Sequence, residues 1–346
     1  MEKFSKWRDA ATGVAPFLVP LPASIHPVPP VLTAILFPLQ TLKGVLGTTL
    51  VLLLLLLQTV LIDGVLLILS PFPPVYDTLS RVVNAAAFRI ILAALGVLWV
   101  KAETVQLKRT GRSPPQVPFA PQKGDLIVAN SSSYVDLFYL AFRYNPTFVL
   151  PVTSAAFAST GAISGFRRVS LISAVLASGK LPAQQKDGGE SLEETVGKAR
   201  GPVVVFPEAT TSNNRALLKF AETAPRPATA SAGKPVPVRV FVLAFRYATP
   251  TRFSPSLTYP VPSTTLSPLS HLYTLTSSLS PTSLSLRRLH ASECPRLSLQ
   301  PGGNARKEEW QALQDVLAGT GRLKRVGGLG WREKEGFLNF RRSKGR

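Results

Sequence analysis

The chain reads as an α/β protein, a mixed sheet with flanking helices preceded by an N-terminal hydrophobic membrane hairpin. Three observations predict it. Short apolar, β-branched runs alternate with helix-like stretches between Gly124 and Thr249. Two longer apolar segments lie before residue 101, parted by the breaker Pro71-Phe72-Pro73-Pro74. The two polar stretches best supplied with chemistry each follow directly on an apolar run, and strand ends are where α/β sheets place their sites.

Residues 1–43 form a Pro-rich amphipathic segment, with Trp7, Phe17 and Phe37 available for a membrane interface. Prolines at 16, 20, 22, 27, 29 and 30 interrupt Ala15 to Val31, so it is not a clean secretory signal. Residues 44–100 make the hairpin. Its first arm, Val45 to Ile62, is built on the unbroken run Leu50 to Leu57 and approaches the ~20 residues needed to cross a bilayer. The second arm, Val82 to Val100, contains Asn84 and Arg89 and is the poorer span; Arg89 can snorkel, or the arm can lie in the interface. Basic flanks (Lys3, Lys6 and Arg8 before; Lys101, Lys108, Arg109 and Arg112 after) place both ends on the cytosolic side. Residues 101–123, with Pro114, Pro115, Pro118 and Pro121, read as a linker.

The core is expected over 124–250. Strands are predicted at Asp125 to Asn130, Phe148 to Val152, Val203 to Phe206 and Val236 to Phe245, and helices at Leu137 to Tyr144, Ser191 to Arg200 and Asn214 to Phe220. Glu222 to Pro235 has the composition of a surface insert. Residues 251–346 read as a basic C-terminal extension, weakly periodic from Leu272 to Leu286, with a helix at Lys307 to Leu317 and a loop at Gly327 to Gly330.

The 346 residues carry 39 Lys and Arg against 19 Asp and Glu, a formal charge of +20, and 45% are hydrophobic. Mean hydropathy is +0.19, which points to membrane association. Cations crowd the C-terminal third: Arg287, Arg288, Arg322, Lys324, Arg325, Arg332, Lys334, Arg341, Arg342, Lys344 and Arg346. Such a tail suits anionic lipid, at about 1 kcal/mol per residue near the surface, or is simply a solvated end. No zinc-ligand or recognition-helix pattern accompanies the charge, which argues against nucleic acid, and no ligand spacing suggests a metal. The single cysteine, Cys294, rules out an internal disulfide and fits a cytosol-facing protein.

The block Phe206-Pro207-Glu208-Ala209-Thr210-Thr211-Ser212 resembles the Phe-Pro-Glu-Gly-Thr-x-Ser block of the membrane glycerolipid acyltransferases, which pass a fatty acyl group from coenzyme A to a lysophospholipid. Ser131 to Asp136 is similar to that family's His-x4-Asp block. The resemblance implies an acyltransferase fold in which the histidine is the base, the aspartate orients it, and the Glu-Gly-Thr block binds glycerol phosphate. Carried over, the candidate catalytic residues are Asp136, Ser131 and Glu208, and the candidate substrate-binding residues Thr210, Ser212, Arg215, Arg168 and Arg167. Three positions depart from the pattern: Ser131 replaces histidine, Ala209 replaces glycine, and Thr211 replaces arginine, with Arg215 as a substitute four residues on. Within Gly165-Phe166-Arg167-Arg168-Val169, either arginine can meet the phosphate of lysophosphatidate or the 3′-phosphate of coenzyme A, or both are solvated.

Met1 to Asp9, Thr12 to Phe17, and Gly321 to Gly327 with Trp331 and Phe337 resemble the fungal lysophosphatidic acid acyltransferases that use oleoyl-CoA, a group that also departs from the histidine. The resemblance implies acyl transfer from a long-chain acyl-CoA to lysophosphatidate, acyl-CoA as co-substrate with no other cofactor, a bilayer partner, and a place on the endoplasmic reticulum or lipid droplets facing the cytosol. A serine hydroxyl is far too weak a base at neutral pH, and three readings of the gap stay open. One of His26, His271 and His290 substitutes; or positioning and a carboxylate such as Asp136 suffice; or the chain is a catalytically silent lipid-binding relative. Asp136 also suits a plain helix-capping role.

Overall fold

The structure, a computed structural model, describes residues 4–22, 30–69, 71–108, 117–224, 234–263 and 266–344. Lys3, His26, Arg109, Arg112, Pro114, Pro115, Arg346 and most of the Glu222 to Pro235 insert lie outside the described residues.

The main sheet has nine strands: β1 (Val97–Val105), β2 (Leu126–Ala129), β3 (Thr147–Thr153), β4 (Gly165–Val169), β5 (Ala183–Gln184), β6 (Val203–Val205), β7 (Val236–Tyr247), β8 (Thr282–Leu289) and β9 (Arg296–Leu299). Their order is β1-β8-β7-β2-β6-β3-β4, with β9 pairing β7 and β5 pairing β3. The central four, β7-β2-β6-β3, are mutually parallel, while β4 and β8 join antiparallel, so the sheet is mixed as the sequence predicts. Strands buried on both faces need apolar residues at every position, and β2 and β6 have them. Ile127 and Ala129 of β2 meet Phe138, Tyr139 and Phe245 on one face. Leu126 and Val128 meet Val196, Trp310 and Leu317 on the other.

The sheet reaches past the expected 124–250 core at both ends. β1 was expected partly as hairpin and partly as linker, because its opening Val97-Leu98-Trp99-Val100 is apolar; it pairs in parallel with β8 from the C-terminal extension. The remaining expected strands and helices form with shifted ends, except one. Asn214 to Phe220 is not a helix: Ala216 and Leu217 form a two-residue strand beside Lys324 and Arg325. Tertiary bonds override helix propensity there. Asn214 sits at φ +61° and bonds Ser132 Oγ, the Phe245 carbonyl and the Tyr247 amide.

Among the described residues the helices longer than one turn are α1 (Pro30–Thr59), α2 (Pro73–Ala94), α3 (Tyr134–Tyr144), α4 (Leu171–Ala177), α5 (Leu192–Lys198), α6 (Leu269–Ser277), α7 (Lys307–Gly321) and α8 (Trp331–Lys344). The stretch Ala34–Ile62 is long and apolar enough to cross a membrane. α6 holds it by one side, where small residues permit close approach: a Cβ on Gly44 would come within 2.8 Å of the Tyr273 ring. Thr48 and Thr276 hydroxyls lie 2.8 Å apart, while Leu42, Leu46, Leu53 and Leu57 face outward.

The second arm, α2, packs one face on the domain and ends at Ala94, and the chain turns at Gly96, φ +83°, into β1. Phe88 stacks on Phe138 at 5.7 Å, and Asn84, which made this arm a poor span, bonds Asn145 at 2.6 Å. The side chains of Trp7 and Phe17, expected to be available for an interface, are turned inward. They are buried with Leu218, Val326 and Phe337 in a cluster that joins the N-terminal segment to α8.

Candidate active site

β2 and β6 are parallel neighbours, Val128 opposite Val205, so the loops leaving their C-terminal ends emerge side by side. Glu208 ties them together. Its Oε1 accepts the Ser131 amide at 2.8 Å, its Oε2 accepts the Leu218 amide at 2.9 Å, and the Ser131 carbonyl accepts the Ser212 amide at 2.9 Å. Asp136 instead holds its own helix end. α3 starts at Tyr134, earlier than expected, with Ser133 as cap, and Asp136 Oδ2 accepts the Ser132 and Ser133 amides at 2.8 and 2.9 Å. Oδ1 accepts the Tyr247 hydroxyl.

Both carboxyls are fully buried. Burial pushes Asp136 up to about 7, against the Tyr247 hydroxyl and the two amides that favour the charged form. Burial pushes Glu208 up to about 8, opposed by its two amides, while the nearby Asp136 adds to the rise and Lys334 opposes it.

Beside the joined loops lies an open cleft. Leu137, Phe148, Leu150, Ala174 and Phe206 make it largely apolar; Ser131, Lys180, Thr210 and Thr211 bring polar groups to it. The Ser131 hydroxyl and the backbone N–H groups of Thr210 and Thr211 have no hydrogen-bond partner among the described residues. Ala209 stands at φ +55° just before these two amides. Successive free amides at such a turn form an anion-binding nest.

Lys334 of α8, expected in a basic tail, is fully buried behind this turn. Its ammonium donates to Thr210 Oγ1 and the Thr211 carbonyl, both at 2.8 Å, and to Thr211 Oγ1 at 3.3 Å. Both threonine hydroxyls already donate elsewhere, Thr210 to the Lys180 carbonyl at 3.1 Å and Thr211 to the Tyr259 carbonyl at 2.6 Å, so all three contacts use lysine protons. Burial lowers Lys334 to about 7, against the attraction of Glu208. One signal in the sequence points to it: Trp331, Lys334 and Phe337 recur every three residues and share the buried face of α8.

The other candidates are not gathered at the cleft. Ser212 is buried with its hydroxyl 3.5 Å from the Ala216 carbonyl, and Arg215 is exposed. Arg168 is engaged by Glu190 through two bonds of 3.0 and 3.2 Å. Arg167 is exposed and pairs across the sheet with Leu150 of the cleft wall. His271 is committed: Nε2–H donates to the Ser256 carbonyl at 3.0 Å and Nδ1 accepts the Tyr134 hydroxyl at 3.0 Å, with burial lowering it to about 4. His290 caps a turn, 2.7 Å from the Ser292 hydroxyl. Of the tail cations, Arg325 pairs with Asp315 and Arg287 with Glu103, whereas Arg332, Arg341 and Arg342 are exposed.

Residues 106–240 match the model of the family described as Acyltransferase. The chain carries an acyltransferase domain. A curated Schizosaccharomyces pombe protein named "Putative lysophosphatidic acid:oleoyl-CoA acyltransferase" is 27% identical over 271 residues, 76% of this chain and 77% of that one. No solved structure matches. The matched part of the acyltransferase domain holds both loops and the cleft and stops inside β7; Tyr247, His271 and Lys334 lie beyond it.

Proposed function

We propose that the protein transfers a long-chain acyl group, oleoyl in keeping with its fission-yeast relative, from coenzyme A to lysophosphatidate, giving phosphatidate and coenzyme A. The observation that carries this reading is the junction of the two loops through Glu208, beside which Thr210 and Thr211, their amides without a partner among the described residues, line a largely apolar cleft. The amides and Lys180 suit a phosphate or a developing oxyanion. The apolar wall suits an acyl chain, at about 0.8 kcal/mol per buried methylene.

In the reaction the acceptor hydroxyl oxygen attacks the thioester carbonyl carbon and loses its proton; the C–S bond then breaks and the leaving thiolate takes up a proton. Among the described residues that line the cleft, no histidine or carboxylate side chain stands ready to take the hydroxyl proton. General base catalysis contributes ~10²–10⁴-fold, whereas holding both reactants in place is worth effective molarities of ~10⁵–10⁸ M, so the larger contribution survives. Glu208 serves by holding the two loops together, Asp136 by capping α3, and Ser131 by lining the cleft.

α1 associates the enzyme with a bilayer, on the cytosolic face of the endoplasmic reticulum or on lipid droplets, and exposed Arg332, Arg341 and Arg342 meet anionic lipid. The test is coenzyme A release from oleoyl-CoA by detergent-reconstituted protein, with and without lysophosphatidate. Release that depends on the lysolipid supports the enzyme. Lysolipid binding with background release favours the silent relative, the second reading that the lack of a base at the cleft keeps in play.

A further inference from the structure

We infer that Lys334, contributed by the C-terminal helix, is a positioning residue of the acyl-transfer site, holding the Thr210–Thr211 turn so that its two free amides face an anionic group in the cleft. The inference rests on the proposed acyl transfer for its substrate, but its structural basis is separate. The ammonium is wholly buried, all three of its contacts fall on two consecutive residues of one turn, and those residues line the cleft on their other side.

A lysine so placed needs a reason, because burying an ammonium costs several kcal/mol unless it is compensated. A purely structural helix contact at this position would be better served by methionine or leucine. The compensation here is directional: Lys334 fixes the Thr211 carbonyl and both hydroxyls, the Ser212 amide of the same peptide unit is taken by the Ser131 carbonyl, and the Thr210 and Thr211 amides just before it are left without a partner among the described residues. Glu208, which joins the two loops, lies near enough to act on Lys334 electrostatically.

α8 is held for this purpose by its neighbours. Phe337 and Phe340 pack on Trp7 at 5.5 and 4.8 Å between ring centroids, and Phe17 lies 5.7 Å from Phe337. The same N-terminal segment receives the Asn213 side chain on the Ala15 and Leu18 carbonyls, at 2.8 and 3.0 Å. The two ends of the chain thus grip the turn from behind.

The experiment compares wild type with Lys334→Met, Lys334→Arg and Thr211→Val in full-length reconstituted protein, with exposed Lys324→Met as control. For each, kcat, the KM for lysophosphatidate, the KM for oleoyl-CoA and the thermal midpoint are measured, and lysophosphatidate binding is followed by calorimetry. Lys334→Met is expected to hold or raise the midpoint, to raise the lysophosphatidate KM or Kd at least tenfold, and to leave the oleoyl-CoA KM within about twofold. Lys334→Arg is expected to restore part of the loss, Thr211→Val to show a smaller loss of the same kind, and Lys324→Met none. Wild-type constants in Lys334→Met, or a loss shared equally by both substrates and tracking the midpoint, overturn the inference. If Lys334→Met does not fold, Thr211→Val decides: a selective lysophosphatidate defect supports the role and an unselective one overturns it. A wild type that binds lysophosphatidate without turnover defeats acyl transfer, and the calorimetric Kd values then judge Lys334 alone.

Discussion

Asp136 and Glu208 look alike as chemical groups: each is a carboxyl with no exposure, each accepts two backbone amides, and each is pushed up by burial. They hold different things. Asp136 closes a capping box three and four residues back in its own chain, and its one distant partner is Tyr247. Glu208 bridges an amide 77 residues away and another ten residues on, and shares its surroundings with Lys334. A local cap tolerates damage by fraying one helix end, whereas a bridge between loops takes the cleft with it.

Glu208→Gln breaks the bridge and has the largest expected effect. One carboxyl oxygen becomes an NH₂ that faces an amide donor, and a buried amide on one of the two joined loops loses its acceptor. The cost is expected at the upper end of about 1–3 kcal/mol, because the junction of both loops depends on this side chain. Chemical denaturation in detergent should show a loss of that size, together with loss of lysolipid-dependent coenzyme A release; a loss below about 1 kcal/mol would mean that the bridge is not what holds the loops.

Asp136→Asn comes next, at about 1–3 kcal/mol, because one of three donors is left facing a donor. Its lysophosphatidate KM should move less than that of Glu208→Gln. If the two variants shift KM equally, the distinction between cap and bridge fails.

The pH dependence sharpens the comparison further. In the unfolded chain these carboxyls titrate near 4, so between about 4 and 7 for Asp136, or about 8 for Glu208, the folded protein keeps protons that the unfolded chain has released. Their contribution to stability is therefore complete below about 4 and is lost as pH rises through the folded values. Lys334 acts the other way: its contribution is complete above about 10 and is lost as pH falls through about 7. Unfolding midpoints should accordingly be lowest near pH 7–8, and Asp136→Asn should flatten the slope on the acid side. A midpoint that climbs steadily from pH 5 to 8 contradicts the raised carboxyls.

What the sequence made legible follows the same divide. Strands β2, β3, β6 and β7 were readable because burial on both faces demands unbroken apolar runs. The two loops were readable because they adjoin those runs. β1 was hidden by its own apolar opening, which continues the hairpin, and β8 by a periodicity too weak to name. The 214–220 segment misled because Asn214 takes a left-handed conformation for the sake of partners 33 and 82 residues away. Lys334 sat in a run of cations, and only its three-residue spacing from Trp331 and Phe337 set it apart.

Ala209 gives the smallest expected effect and the finest test of the turn that Glu208 and Lys334 support. It holds φ +55° where the resembled family has glycine. The left-handed conformation costs a Cβ-bearing residue about 1–2 kcal/mol, which Ala209→Gly relieves. Against that, glycine's freer unfolded chain costs about 0.4–1 kcal/mol, and the alanine methyl, buried in the core below, is worth about 0.8 kcal/mol. The opposing contributions nearly cancel, so Ala209→Gly should change stability by less than about 1 kcal/mol, which explains why alanine is tolerated here. A β-branched side chain has no such compensation, and Ala209→Val should cost at least about 2 kcal/mol more than Ala209→Gly. If valine and glycine variants unfold at the same denaturant concentration, the turn is not held in the left-handed conformation, and the amides of Thr210 and Thr211 are free to leave the cleft.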